Sequence, residues 1–419
     1  MNKRECWLVD SSLLSGAYAY HLAEALAQQG VAVRLVARPL RPGEEFPPAN
    51  IVYDPLFYPI GEWAMRFAKG AGRNTAKLVK GLEHAFGLVK LVARARRERP
   101  YCVHFSQFVL PALDKLAIRA LKHTCPVVVT VHNSVPLHGV RPRAVREEDF
   151  FASYRAADAV FAHTETTRKT LLGRGVAQEN IHQISHPPLA LRREHEPHER
   201  GDAFRVLLWG AIKPYKGVET LLEAAAQAVS TERPIEVRVV GRAFYDAAPL
   251  VARAAEPDLR DRCTLDLRFM TDAEIDAELR SCDLVVFPYH EIDTSGTFPT
   301  SLSYGKAILV TNVGGFAELP LPPEVRRWAV TPPNDPQALA ESLRVLAEDN
   351  QAYEANVEAF QNLFESLQTW ADVAGKVLEV YREIGVDLGG ASNDADPASR
   401  TTTASSAPRD RRIVETARS

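Results

Sequence analysis

The stretch Cys282–Leu319, CDLVVFPYHEIDTSGTFPTSLSYGKAILVTNVGGFAEL, decides the fold. It opens with an apolar run, Leu284 to Pro288, that reads as a strand. A polar loop follows, then a helix expected from about Pro299 to Tyr304, then a turn at Gly305. A second apolar run, AILVT, ends just before Gly314-Gly315. Two short strands joined by a crossover helix form a βαβ unit, which implies a parallel sheet. Ligands of open parallel sheets bind beyond the carboxyl ends of the strands. The loop after Pro288 carries His290, Glu291, Asp293, Thr294, Ser295, Gly296 and Thr297. Its TSGT segment offers free N–H groups and small side chains at a helix start, where a phosphate oxygen can approach closely. The loop carboxylates suit sugar hydroxyls. Glu318 is expected in the first turn of the helix begun by Gly314-Gly315, where a carboxylate also stabilises the helix dipole without any ligand.

The same pattern continues outward. Upstream, RVLLWGAIKPYKGVET (Arg205–Thr220) is a strand ending at Gly210, a loop holding Lys213 and Lys216, and a helix beginning near Gly217. Two cations beside the free N–H groups of a helix start make an anion site that suits a diphosphate. Two solvated surface lysines before an ordinary helix fit the same residues. EVRVVGRA and CTLDLRFM are further strands, so a second α/β domain starts near residue 200. Before it, HPPLALRREHEPHERGDAF is polar and aperiodic and reads as a linker.

The N-terminal half repeats the architecture without repeating the sequence. Trp7 to Val9 form a strand ending at Asp10, SSLLSGAY leads into the helix HLAEALAQQG, and VAVRLVARP is the next strand. CVHFSQ, VVVTVHN and ADAVFAHT are later strands of a doubly wound α/β domain. His132, His163 and His186 lie near strand ends, with Pro136 and His138 following His132. Together they suggest a cleft; each alone is an ordinary loop histidine. No cluster has zinc-site spacing, and there is no G-x-S-x-G, Walker A or early G-x-G-x-x-G motif. Residues 352–385 read as helical, with Trp370, Val373 and Val377 in register. From Gly389 the chain is almost free of apolar residues and is expected to be disordered.

Composition agrees with a two-domain globular chain. Of 419 residues, 46% are hydrophobic and 25% charged, and the net charge of −3 gives no nucleic-acid signature. The cysteines Cys6, Cys102, Cys125, Cys263 and Cys282 form no C-x-x-C pair and read as buried thiols of a cytosolic protein. No run of about 18 apolar residues is present, and the N-terminal apolar run is too short for a signal peptide.

At this point the residues resemble a known family. GAIKPYKGVETLLEA, VVGRA, the acidic TSG loop, SYGKAILVTNVGG and Glu318 look like the donor half of GT-B retaining glycosyltransferases of the GT4 type (glycosyl transferases group 1). GAYAYHLAEALAQQGVAVRLV, VVVTVHNSVPLHG and ADAVFAHTETTRKTL look like its N-terminal half. The resemblance covers about residues 5–385 and rests on the order and number of motifs. It implies two Rossmann-like domains with a cleft between them. The N-terminal acceptor domain would span residues 1–195 and the nucleotide-sugar donor domain 196–365. A helix crossing back would span 366–387, and a tail 388–419.

The resemblance further implies an NDP-sugar donor, no metal or other cofactor, and transfer with retention to a glycan or lipid-linked glycan in polysaccharide or glycoconjugate synthesis. Lys213 and Lys216 would contact the diphosphate, Ser295, Gly296 and Thr297 would offer N–H groups to it, and Arg268 and Phe269 would lie near the nucleobase. Gly16 would mark where the first domain approaches the phosphates, Glu318 would bind the donor, and His132 would sit near the transferred sugar or the acceptor. Two departures stand out. The family's glutamate pair falls on Ile292 and Thr300, leaving Glu291 or Asp293 to replace the first. Its arginine falls on Ala211, with Lys213 as the substitute. A nucleotide-sugar epimerase, a sugar phosphorylase or an inactive partner subunit of the same fold are the competing classes.

One segment stands apart. Residues 66–99 hold ten Lys or Arg and two acids, with Leu78, Val79, Leu82, Phe86, Val89 and Val92 interleaved at helical spacing. A basic amphipathic helix can lie on anionic lipid, which would place the chain on the inner face of the plasma membrane; an ordinary surface helix packed on the sheet accounts for the same residues and is the simpler reading.

Overall fold

The computed structural model describes residues 4–41, 44, 51–61, 72–133, 146–189, 201–228 and 233–388. The expectations for Arg66, Lys69, Pro136, His138, most of the linker and the tail from Gly389 lie outside these residues. The first half runs β1 (Cys6–Asp10), α1 (Gly16–Gln28), β2 (Val33–Ala37), β3 (Ile51–Asp54), α2 (Gly72–Glu98), β4 (Cys102–Phe105) and α3 (Pro111–Leu121). It continues through β5 (Val127–Val131), α4 (Glu147–Tyr154), β6 (Ala159–Ala162), α5 (Glu165–Gly173) and β7 (Ile181–Gln183). The second half begins with β8 (Phe204–Trp209), α6 (Val218–Gln227), β9 (Ile235–Val240), α7 (Ala248–Ala254), β10 (Cys263–Asp266), α8 (Asp272–Ser281) and β11 (Leu284–Phe287). Then come α9 (Thr297–Leu302), β12 (Ala307–Thr311), α10 (Gly314–Ala317), α11 (Pro323–Ala329), β13 (Val330–Thr331), α12 (Pro336–Glu348), α13 (Asn350–Ser366) and α14 (Trp370–Glu383).

Each half forms one parallel sheet, ordered β3-β2-β1-β4-β5-β6-β7 and β10-β9-β8-β11-β12-β13. Helices cover both faces, which is why β1, β5, β11 and β12 are continuous buried apolar runs rather than alternating ones. Four apolar clusters result, one on each face of each sheet. The strand order reverses between β1 and β4 and again between β8 and β11, and the crevice at such a point is where doubly wound sheets take ligands. All five cysteines are buried and free.

Three elements differ from the sequence expectation. Residues 352–385 are two helices, because Leu367 is extended and Thr369 starts α14 with a capping box closed by Asp372. Helix α9 begins at Thr297 rather than Pro299, since a proline without an N–H is accommodated in a first turn. Glu318 follows α10 instead of occupying a first turn. Helix α14 packs on α1: its Val373, Val377, Leu378 and Tyr381 share a core with Tyr18, Leu22 and Leu26. The Tyr381 hydroxyl lies 2.7 Å from His104 Nδ1, and His104 Nε2 lies 2.7 Å from Thr130 Oγ1.

Candidate active site

The crevice between β8 and β11 is built by two loops held together at several points. The first leaves β8 and turns through Lys213 to Gly217; the second leaves β11 and runs from Pro288 to Gly296. The His290 N–H donates to the Tyr215 carbonyl at 2.8 Å, and Thr220 Oγ1 lies 3.0 Å from His290 Nε2. Gly217 has a positive φ of 66°, and a Cβ there would stand 1.9 Å from the Pro288 carbonyl oxygen. Only glycine permits that approach.

Lys216 is the centre of this arrangement. It is 3% exposed, and its ammonium donates to the Tyr289 hydroxyl at 2.6 Å and to the Trp209 carbonyl at 3.2 Å. Both partners are neutral, and burial lowers its pKa. A buried cation among neutral dipoles carries an uncompensated desolvation cost, which a bound anion would offset. Lys213 is partly buried; burial first, then repulsion from Lys216, lowers its pKa as well. Beyond Tyr289, Thr297 Oγ1 lies 2.9 Å from Ser295 Oγ at the start of α9. Gly210 leaves open the space between Thr297 and Lys216: a Cβ there would stand 3.0 Å from Thr297 Cγ2 and 3.4 Å from Lys216 Nζ.

The N-terminal half faces this crevice with imidazoles. The ring of His132, just past β5, lies 4.6 Å from Tyr18 and 5.1 Å from His163. His186 joins them at 5.2 Å from His163. Burial pushes His163 down to about 3 and His186 to about 4, and lowers His132 too, so all three are neutral at pH 7. His163 Nδ1 lies 3.2 Å from the Ile184 carbonyl. The Nε2 atoms of His132 and His163 are buried and have no hydrogen-bond partner among the described residues. A Cβ on Gly296 would stand 3.6 Å from His186 Nε2, which puts the TSGT turn directly across from the histidines. Beside them, Gln107, Phe108, Thr130, His132, Asn133 and Tyr154 line a cavity on the first sheet's side.

Gly16 is the first residue of α1, buried behind a loop shaped by Asp10, whose carboxylate accepts from the Leu14 and Ser15 N–H groups. Arg268 and Phe269 lie at the carboxyl end of β10, two strand spacings or about 10 Å from β8. Arg268 pairs with Asp266 and Glu274, and Phe269 is 71% exposed. Asp293 is buried, and its charge raises the pKa of Tyr154 across the cleft after burial has done so. Glu291 is exposed. Glu318 goes elsewhere: its carboxylate accepts from the N–H groups of Glu165 (3.1 Å) and Thr166 (2.6 Å) and from the Thr166 hydroxyl, at the start of α5 in the other half. Expected to bind the donor, it instead engages the start of a helix in the facing domain. Beside it Gly315 donates its N–H to the Asp293 carbonyl at 3.0 Å, and a Cβ on it would meet Thr164 at 2.9 Å.

Sequence reasoning passed over Tyr289, Tyr18 and Tyr154. Tyr289 had a usable signal, standing two residues past β11 on the same loop as the TSGT turn. Tyr18 and Tyr154 lie inside helices and carry none.

Comparison with known proteins agrees with this geometry. The family model for Glycosyltransferase Family 4 matches residues 15–187, and that for Glycosyl transferases group 1 matches residues 203–349. A GDP-mannose:glycolipid 4-beta-D-mannosyltransferase from Xanthomonas campestris pv. campestris is 35% identical over 106 residues. That match spans 25% of this chain and only 29% of the relative. Among solved structures, Anabaena HepE in complex with UDP superposes with a TM-score of 0.64 at 16% identity, over 91% of this chain and 100% of that one. Sucrose-phosphate synthase from Thermosynechococcus elongatus superposes with a TM-score of 0.66 at 19% identity, over 91% and 99%. With two matched models together covering most of the described residues, and with solved glycosyltransferase structures superposing over about nine-tenths of the chain, the chain belongs to the GT-B glycosyltransferases of the GT4-like type.

Proposed function

We propose that this glycosyltransferase moves a hexose from a nucleoside-diphosphate sugar to a glycan or lipid-linked glycan acceptor in polysaccharide or glycoconjugate synthesis. The observation that carries the donor assignment is the buried Lys216 ammonium with only neutral described partners, set beside the TSGT turn at the β8/β11 crevice. A diphosphate bridging Lys216, Lys213 and the N–H groups of Ser295 to Thr297 would relieve the buried charge. A nucleobase reaching about 10 Å along the sheet would meet Phe269 and Arg268. HepE, which shares this fold, is solved with UDP, and the mannosyltransferase name specifies GDP-mannose and a glycolipid; both are consistent with this donor and acceptor class.

In the transfer, the bond from the anomeric carbon to the diphosphate oxygen breaks, the acceptor oxygen bonds to that carbon in its place, and the acceptor hydroxyl's proton passes to the departing diphosphate. The departing diphosphate gains charge, which Lys216, Lys213 and the turn stabilise more strongly than they do the bound donor. We assign this role to the lysines, with no metal. Positioning by His132 and by Glu291 or Asp293 holds the sugar over the crevice. Retention is carried over from the family resemblance. Inversion is the second course: it needs a base opposite the leaving group, and the Nε2 of His132, which has no hydrogen-bond partner among the described residues, is an atom able to take the acceptor's proton. The anomer of the product, read by NMR, separates the two.

The acceptor side gains support from α2. Its inner face, with His84, Leu88, Leu91 and Ala95, is buried on the first sheet. Leu78, Leu82, Phe86 and Val89 instead point outward at 60–66% exposure, and Lys90, Arg96 and Arg97 are exposed among or beside them. No described helix is long and apolar enough to cross a membrane. We assign this outer face to peripheral contact with an anionic membrane, from the cytoplasmic side.

Titration calorimetry with UDP, GDP and ADP tests the donor assignment. Binding of one of them in the micromolar range is expected; absence of binding to all three refutes it.

A further inference from the structure

The diphosphate crevice contains a side chain that neither the motifs nor the family resemblance assigns. We propose that the Tyr289 hydroxyl is a positioning group: it aims the Lys216 ammonium at the donor diphosphate and ties it to the Ser295–Thr297 turn. The proposal rests on the donor assignment above.

Tyr289 is held from several sides. Its carbonyl accepts from Thr311 Oγ1 at 2.5 Å, and its ring packs edge-on against Tyr215 and Phe287 and tilted against Phe316, with centroids 5.6–5.7 Å apart. The hydroxyl is therefore fixed in place. It accepts from Lys216 Nζ at 2.6 Å, which leaves its single proton for Thr297 Oγ1, 3.4 Å away. Thr297 in turn meets Ser295 at 2.9 Å.

An ammonium has three N–H donors. The Tyr289 hydroxyl and the Trp209 carbonyl take two of them. The third has no partner among the described residues, and the space that Gly210 leaves open lies within 3.4 Å of Nζ. Two fixed acceptors define a direction for the third donor; one would leave the chain free to swing. Tyr289 also sets the charge state, because an oxygen accepting from the ammonium favours its protonated form against the burial that lowers its pKa. The other titratable groups around Lys216 are Lys213, Tyr215 and, beyond Gly217, His290.

Tyr289→Phe keeps the ring and removes only the hydroxyl. Thr297→Val removes the far end of the same link and guards against a folding defect in the first variant. Calorimetry with UDP, GDP and ADP between pH 7 and 10, with thermal unfolding of the free proteins, tests the proposal. Tyr289→Phe should weaken diphosphate binding about tenfold, and Thr297→Val by a smaller factor. The alkaline limb of affinity against pH should move to lower pH in Tyr289→Phe, with the free protein unfolding as wild type does. A hydroxyl that only supports the fold would lower the unfolding temperature and leave that limb in place, which overturns the proposal. Unchanged affinity and limb in a wild type that binds overturns the positioning role and spares the donor assignment. A wild type that binds none of the three removes both.

Discussion

Replacing Lys216 with methionine should have opposite effects on binding and on stability. Methionine has nearly the same length and volume but no charge. Binding loses at least one charge-assisted hydrogen bond to phosphate, worth about 1.5–3 kcal/mol, so the dissociation constant of the nucleoside diphosphate should rise roughly 10- to 150-fold. Turnover should fall further, by roughly 100- to 1000-fold, because charge on the leaving group peaks in the transition state. The free protein follows the other sign. The buried ammonium has only neutral described partners, so removing it relieves a desolvation cost. Against this, the Trp209 carbonyl and the Tyr289 hydroxyl each lose a donor, about 1 kcal/mol apiece. The unfolding temperature should therefore stay level or rise slightly. Calorimetry and differential scanning of the same samples report both effects. A variant that binds the diphosphate normally and unfolds several degrees earlier would show Lys216 to be a structural strut and refute the reasoning.

Three further outcomes are expected. His104 and His163 are buried and held neutral with pKa values of about 3, against 6.5 unfolded, so stability is full above pH 6.5 and is lost as pH falls toward 3. The loss is about 1.4 kcal/mol per pH unit for each, and urea titrations at pH 7, 6 and 5 check it; a flat midpoint contradicts it. Glu318→Ala removes the bonds that join the second half to the start of α5 and should lower the ratio of apposed to separated halves roughly two- to fivefold, seen as a larger radius of gyration in solution scattering; an unchanged profile contradicts it. Leu82→Asp with Phe86→Asp should abolish flotation with anionic vesicles at low salt, while wild type floats at low salt and less at high salt. A wild type that does not float contradicts the membrane assignment.

The sheets were legible because burial on both faces leaves a pattern: LVVF, AILVT and VVVTV admit few other readings. The two crevice loops were legible for the same reason, since each follows a strand and leads to a helix. What could not be read was which groups meet across the chain. Glu318 caps a helix some 150 residues upstream, and nothing local to it distinguishes that partner from a sugar or its own helix. Tyr289 is one tyrosine among 12, and its meeting with Lys216 depends on the lateral order β8-β11. On α2 the spacing of Leu78, Val79, Leu82, Phe86, Val89 and Val92 marked an amphipathic helix, but not that Leu78, Leu82, Phe86 and Val89 would face outward while the sheet takes the side with Leu88, Leu91 and Ala95.

Incubation with UDP-, GDP- and ADP-sugars and a lipid-linked glycan acceptor, with the products read by mass spectrometry, tests the central claim most directly. An acceptor heavier by one hexose residue, formed with a stoichiometric amount of one nucleoside diphosphate, is the predicted result. Tight binding of a nucleoside diphosphate with no sugar transferred to any acceptor would contradict it and mark the chain as an inactive partner of its family.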